Sequence, residues 1–329
     1  MAKAEQIKAI LKSYVEKDDT RFYSLMMQVA AGEARKGHGR LAEELKQLID
    51  QARSQSAISP GERQPIPITL PRGELGGLLS VEFPKLRLVD MILPQKTLRR
   101  LQRILKEHRN IGKLTSHGLT PRRKLLLIGP PGCGKTMTAA VLAGELGIPH
   151  FTVRLDGLIT KFLGETAAKL KMIFDSFQHA RGLYLFDEFD AIGSQRAFLN
   201  DVGEIRRVLN SFLMLIERDR SNSLIVAATN HPQSLDHALF RRFDDVVEYE
   251  LPQRKQIHQF LENRLLTLES SSLDYDQIAG NTEGLSYADI ASVCDEVIKD
   301  MIIEEKTSVK TEAILLAISE KKAFRDKQI

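Results

Sequence analysis

The segment Gly129-Pro130-Pro131-Gly132-Cys133-Gly134-Lys135-Thr136 has the residue types and spacing to bind phosphate. It fills the pattern G-x-x-x-x-G-K-[ST]. Glycines let a backbone approach a ligand closely and adopt conformations closed to other residues. Backbone N–H groups of such a loop, with a helix N-terminus behind it, face anionic oxygens. In this pattern Lys135 reaches the β- and γ-phosphates of a nucleotide, and the Thr136 hydroxyl holds Mg²⁺.

A second group supports the first. Gly182-Leu183-Tyr184-Leu185-Phe186-Asp187-Glu188 is an apolar strand ending in two acids. A carboxylate at such a strand tip, here Asp187, can hold the water shell of Mg²⁺. Glu188 can take the proton of an attacking water. An acidic pair after a strand is a weak signal by itself. It gains weight behind a phosphate loop, because hydrolysis needs both a metal ligand and a base. The strand Leu224-Ile225-Val226-Ala227-Ala228 ends in Thr229-Asn230. Asn230 can orient the water or touch the γ-phosphate; alternatively it caps the turn before His231-Pro232.

These groups need a scaffold. Strands are expected at 124–128, 151–155, 183–186, 224–228 and 246–251, with helical patterns between them, including 137–146. Alternation of this kind gives a parallel α/β sheet. Beyond Gln253 the strands stop. Ile290, Val293, Cys294, Val297, Ile298 and Met301 form one helical stripe, with Ser286-x-x-Asp289 as a capping box at its start. Cys294 then reads as a small buried hydrophobe. Near the N-terminus, three apolar stripes (from Ile7, Phe22 and Leu41) predict short helices that bundle together. The Pro- and Ser-containing stretch after Ser54 reads as a linker. The expected division is a helical bundle over 1–55, a linker over 56–74, an α/β domain over 75–252 and a helical lid over 253–329.

A chain of 329 residues with 43% apolar residues can bury a good core. Its net charge of +4 does not point to nucleic acid. Residues 95–124, however, hold ten Lys/Arg against one acid, Glu107. With Leu98, Leu101 and Leu105 between the charges, this reads as a solvated helix face, or as a surface for an acidic partner or nucleic acid. Two cysteines, Cys133 and Cys294, suggest neither a metal pair nor a disulfide framework. No signal-peptide core or membrane-length apolar run is present, so a cytoplasmic protein without a membrane partner is expected.

Over roughly residues 75–320 the chain resembles the AAA ATPases of the AAA+ superfamily. Four further stretches carry the resemblance. Leu158-Ile159-Thr160-Lys161-Phe162-Leu163-Gly164-Glu165-Thr166 is similar to the family's pore loop, and Gly203-Glu204-Ile205-Arg206-Arg207-Val208-Leu209-Asn210 to the helix after its second pore loop. Leu235-Asp236-His237-Ala238-Leu239-Phe240-Arg241-Arg242-Phe243-Asp244 resembles its second region of homology, and Glu283-Gly284-Leu285-Ser286-Tyr287-Ala288-Asp289-Ile290 its sensor-2 segment.

The resemblance implies a ring, most simply a hexamer, that hydrolyses ATP with Mg²⁺ and remodels a polypeptide client. Nucleotide contacts would come from Gly129, Pro130, Pro131, Gly132, Cys133, Gly134, Lys135, Thr136, Met137 and Asp187, and from the lid near Tyr287 and Ala288. Lys161, Phe162, Leu163 and Gly164 would face the pore, and Arg241 or Arg242 would act on a neighbour's γ-phosphate. The family usually spaces its two arginines; here they are adjacent, so either can be the finger. Cys133 stands where the family more often has Thr, at a helix N-terminus, a setting that lowers a thiol's pKa. Two rival readings remain: a nucleic-acid-dependent ATPase, and an ATP-gated regulator of a partner protein. The latter resembles small bacterial AAA ATPases encoded beside a subtilisin-like protease.

Overall fold

The computed structural model describes residues 73–158, 163–193, 202–265, 273–306 and 308–326, with Met26, Val29 and Glu43 as separate helical positions before them. Apart from those three positions, the expected N-terminal bundle lies outside the described residues, as does the expected linker up to residue 72.

The inner strands form where the sequence has continuous apolar runs. They are β2 (Lys124–Ile128), β4 (Leu183–Phe186) and β5 (Leu224–Thr229); the shorter β3 (His150–Val153) is also internal, while β1 (Leu79–Glu82) and β6 (Asp245–Glu248) are the edges. The sheet order is β1-β3-β4-β5-β2-β6. From β3 to β6 the neighbours are parallel. The edge strand β1 runs antiparallel to β3, with Leu79 opposite Val153 and Glu82 opposite His150. The sheet is thus mostly parallel, as expected, with one antiparallel edge strand that the sequence pattern does not reveal. The sequence Leu79-Ser80-Val81-Glu82 is short, and its alternation of apolar and polar residues too brief to register as a strand. Arg154, Leu155 and Tyr249 to Leu251, expected in strands, lie outside them.

Between residues 73 and 326 the described residues include thirteen α-helices. The first seven are α1 (Glu74–Leu78), α2 (Gln95–Arg109), α3 (Ile111–Ser116), α4 (Lys135–Leu146), α5 (Leu155–Leu158), α6 (Leu163–His179) and α7 (Asp190–Gly193). Then come α8 (Val202–Arg218), α9 (His237–Phe240), α10 (Arg254–Leu265), α11 (Tyr275–Asn281), α12 (Tyr287–Ile303) and α13 (Thr311–Asp326).

Side chains along a strand alternate between its faces. Leu125, Leu127, Leu183, Leu185 and Val226 pack with α2 and α4. Leu126, Tyr184, Phe186, Ile225 and Ala227 pack on the other side with α6 and α8. Covering both faces explains why the inner strands read as unbroken apolar runs. The last four helices have their own core, including Ile257, Leu261, Ile278, Ile290, Val293 and Ile314. Cys294 is fully buried there, as its stripe predicts, and burial raises its thiol pKa to about 11. The capping box forms: Asp289 N donates to Ser286 Oγ at 3.2 Å and Ser286 N to Asp289 Oδ2 at 3.1 Å.

The basic segment is tied to acids distant in sequence. Arg109 pairs with Glu145 at 2.6 Å, and Arg122 with Asp245 at 3.0 Å. Arg123 pairs with the buried Asp219. Much of the charge that suggested a binding surface is therefore matched within the chain.

Candidate active site

β2 ends at Ile128 and α4 begins at Lys135, so Gly129 to Gly134 form the turn between them. Two glycines explain the loop's composition. Gly129 has φ 143°, and a Cβ there would lie 2.2 Å from Tyr249 O, just past β6. Gly132 has φ 72°, and a Cβ there would lie 2.5 Å from Ser286 Oγ and 2.9 Å from the Ala288 Cβ. The loop is thus clamped between the end of the sheet and the first turn of α12. Ala288 N donates to Gly132 O at 3.2 Å. Tyr249 contributes again through its hydroxyl, 2.6 Å from Thr138 Oγ1 in a buried contact. Pro131 is exposed, while Pro130 and Met137 are half-buried. Tyr287 packs against Phe260, with ring centroids 5.4 Å apart. Its buried hydroxyl has no hydrogen-bond partner among the described residues, and burial pushes its pKa up.

Lys135 is buried, and its ammonium donates to Gly129 O at 2.8 Å and Pro130 O at 2.7 Å. Burial lowers its pKa, opposed by the charges of Cys133, Asp187 and Asp190. Cys133 departs from expectation. Its thiol is only 2% exposed, 3.8 Å from Pro131 O, and burial pushes its pKa up despite Lys135 nearby. Desolvation of the thiolate outweighs the helix-terminus effect that the sequence suggested.

The sheet order brings the remaining groups together, because β5 lies between β2 and β4. Thr136, at the start of α4, donates its hydroxyl to Asp187 Oδ2 at 2.6 Å. Two oxygen donors at this separation suit Mg²⁺, which takes oxygen ligands. Glu188 is exposed and has φ 48°, a left-handed conformation rare for a non-glycine residue. Its N–H donates to Asp187 Oδ1 at 2.9 Å. The turn is anchored by Phe189 N, which donates to Ala228 O at 2.8 Å, and by the fully buried Phe189 ring. Thr229 is opposite Ile128 in the ladder, so the half-buried Asn230 follows at the loop end of the middle strand. Asn230 does not cap the next turn: His231 N donates to Thr229 Oγ1 at 3.0 Å, while that hydroxyl donates to Asp190 Oδ1 at 2.8 Å.

Arg241 and Arg242 stand elsewhere. They follow α9 and precede β6, whose first residue Asp245 pairs with Leu125 at the start of β2. The phosphate loop leaves the other end of β2. Arg242 Nε donates to Glu217 Oε2 of α8 at 3.1 Å, whereas Arg241 is exposed. Phe243 links this segment to the acidic turn, since its ring lies edge-on to Phe189 with centroids 6.4 Å apart. Lys161 and Phe162 lie outside the described residues; Leu163 and Gly164 begin α6, with no side-chain placement described. Sequence reasoning missed Tyr249, Asp190, Phe189 and Glu217 as supporting residues. Only the hydrophobicity of Phe189 offered a local signal; the others act on residues far along the chain.

Similarity to known proteins bears on identity. The profile "ATPase family associated with various cellular activities (AAA)" matches residues 125–251. An uncharacterized AAA family ATPase, y4kL, of Sinorhizobium fredii is 35% identical over 312 residues, covering 94% of this chain and 92% of that protein. The ATP-dependent zinc metalloprotease FtsH 1 of Conexibacter woesei is 33% identical over 229 residues, 66% of this chain and 35% of the relative. The proteasome-activating nucleotidase of Pyrococcus horikoshii is 36% identical over 210 residues, 61% of this chain and 52% of the relative. The chain thus spans about half of the nucleotidase and about a third of the metalloprotease. The near full-length match to y4kL, around a phosphate loop joined to an acidic strand tip, makes this chain a member of the AAA family of ATPases, which hydrolyse ATP.

Proposed function

We propose that the chain is the subunit of a ring, most simply a hexamer, that couples ATP hydrolysis to remodelling of a polypeptide client in the cytoplasm. The observation that carries this reading is the placement of Arg241 and Arg242 at the opposite end of β2 from the phosphate loop. Reaching that loop from the same chain would mean crossing the sheet, so a neighbour's arginine is the simpler source. Arg242 is engaged by Glu217 and Arg241 is exposed, which favours Arg241 as the finger.

In this reading Gly129, Pro130, Pro131, Gly132, Cys133, Gly134 and Met137 surround the phosphates of ATP, with Tyr287 and Ala288 closing from the lid. Lys135 exchanges two neutral carbonyl acceptors for anionic oxygens, a stronger charge-assisted contact. Thr136 and Asp187 would hold Mg²⁺, which would offset phosphate charge when bound. Glu188 takes the proton of the attacking water, Asn230 orients it, and Arg241 offsets charge in the transition state. The domain division proposed is 1–55 for a bundle that recruits a partner, 56–74 for a linker, 75–252 for the ATPase domain and 253–329 for the lid. Lys161, Phe162, Leu163 and Gly164 form the grip on the client.

FtsH and proteasome-activating nucleotidase are both named for proteolysis, which favours a protease as the partner; the resemblance to AAA ATPases encoded beside a subtilisin-like protease makes that class the specific candidate. The pairing of Arg109, Arg122 and Arg123 with acids of this chain weighs against nucleic acid. The test compares ATPase stimulation by an unfolded polypeptide and by DNA, with client processed per ATP measured in Phe162→Ala. Stimulation by polypeptide, and loss of processing with hydrolysis retained, are expected. Processing at the wild-type ratio would replace threading by gating of a partner. Stimulation by DNA alone would overturn the reading.

A further inference from the structure

Tyr249 holds the phosphate loop at both of its ends. It follows β6, whose last residue, Glu248, lies opposite Ile128 at the end of β2. At the loop's entry, Tyr249 N donates to Ile128 O at 2.7 Å. The Tyr249 carbonyl comes so close to Gly129 that a Cβ there would overlap it. At the loop's exit, the Tyr249 side chain reaches across to α4. The tyrosine is 4% exposed, Thr138 is fully buried, and their hydroxyl oxygens are 2.6 Å apart.

The protons of these two hydroxyls follow from counting. Thr138 Oγ1 lies 2.9 Å from Gly134 O, and a threonine hydroxyl has one proton to give. The Met91 sulfur, 3.8 Å from the same oxygen, is a weaker acceptor than a carbonyl. With the Thr138 proton on Gly134 O, the Tyr249 hydroxyl donates to Thr138 Oγ1, and both buried donors are satisfied. Burial also raises the pKa of the phenol, which keeps its proton in place. Threonine in a helix divides between two rotamers, and the phenol holds Thr138 in the one that reaches Gly134 O.

Gly134 O also accepts from Thr138 N at 2.9 Å. Two hydrogen bonds thus fix the direction of one carbonyl, and Gly134 has no side chain of its own to do so. The peptide that carries this carbonyl is planar and trans, so the N–H of Lys135 in the same unit points the opposite way. It therefore points out of the N-terminus of α4, the end of a helix that receives anions.

We propose that Tyr249 is a positioning residue for nucleotide binding: acting through Thr138 and Gly134, it aims the Lys135 amide at the β-phosphate and sets how strongly the loop prefers ADP to AMP. The proposal rests on Gly129 to Thr136 being the phosphate site, and it is independent of the ring.

The test uses the full chain and competition of ADP and of AMP against a fluorescent nucleotide. The ratio of the two affinities isolates the β-phosphate, since a general loosening of the fold weakens both alike. Tyr249→Phe is expected to cut that ratio about threefold or more, and Thr138→Val about fivefold or more. The double variant is expected to fall no lower than Thr138→Val, because Tyr249 acts only through that hydroxyl. Thr138→Ser, which restores the hydroxyl, is expected within about twofold of wild type. If Tyr249→Phe does not fold, the valine and serine variants decide between them. An unchanged ratio in Tyr249→Phe, even with both affinities lowered, would reduce the hydroxyl pair to core packing and overturn the proposal. So would effects that multiply in the double variant, or a serine variant as weak as the valine one. A wild-type chain that binds AMP as tightly as ADP would instead remove the phosphate site on which the proposal rests.

Discussion

The hydroxyl of Thr136 donates to Asp187 Oδ2 at 2.6 Å, joining residues 51 positions apart in sequence. The contact spans β5, which lies between the strands that deliver the two residues. It sets a hydroxyl and a carboxylate side by side, with the Glu188 turn immediately after them.

Asp187→Asn is expected to keep this contact but weaken the grip on a divalent cation. Turnover should fall by about 100-fold or more, and part of it should return at high Mg²⁺. Magnesium titration of the ATPase rate reads this. A rate and half-saturation equal to wild type would remove Asp187 from the metal site.

Glu188→Gln should leave ATP binding within about threefold of wild type and slow hydrolysis by about 10²–10⁴. The amide preserves size but cannot take a proton. Nucleotide affinity by fluorescence and single-turnover hydrolysis separate the two effects, and hydrolysis within tenfold of wild type would dismiss Glu188 as base.

The arginines should behave differently. Arg241→Ala should reduce turnover by about 10³-fold with binding near normal, the scale of a transferred finger. Arg242→Ala breaks an exposed pair with Glu217 and should cost no more than about 1 kcal/mol of stability, with a much smaller effect on rate. Mixing Arg241→Ala with Glu188→Gln protein should recover activity if sites are shared between subunits. The reverse ranking of the two arginines would transfer the role to Arg242.

Gly132→Ala places a methyl group against Ser286 and Ala288 at a left-handed backbone position. The clash displaces the first turn of α12 or the loop, at a cost of about 1–3 kcal/mol. Denaturant unfolding should show the loss, with weaker nucleotide binding beside it. Gly284→Ala is the control for backbone strain alone, since it has φ 89° with nothing within 4 Å.

Acid should destabilise the fold through His108. Its Nε2 donates to Arg122 O at 2.7 Å, while Nδ1 is buried without a partner among the described residues. Burial lowers its pKa below 6.5, outweighing the Arg122 carbonyl that favours the proton. Above that value His108 is neutral in folded and unfolded chains alike. As pH falls below 6.5, the unfolded chain takes the proton first and stability declines until the folded pKa is passed. His108→Gln should flatten the slope of unfolding free energy just below pH 6.5. An unchanged slope would assign the acid response to other groups, such as the buried His150.

The loop at Gly129 and the capping box at Ser286 were legible because their meaning lies within a few residues. The inner strands were legible because each is buried on both faces. β1 was not, since its identity depends on pairing with β3 and its own four residues carry little pattern. Pairing of Arg122 with Asp245, 123 positions away, was equally hidden, so the basic segment looked more available for partners than it is. Cys133 misled for a related reason. Its position at a helix start is local, whereas its burial depends on packing between distant segments.

Both flanks of the sheet carry features that oppose strand addition. β1 covers the edge of β3, ends in the charged Glu82, and is followed after Phe83 by Pro84, which lacks the N–H a growing ladder needs. On the far flank, Arg100 occupies Val246 O of β6. In the proposed remodelling role the protein would be offered free strands continually, and an open edge would capture them through the backbone without regard to sequence. With the flanks blunted, an unfolded client in that role would be held through side chains and released instead of being templated into amyloid-like growth.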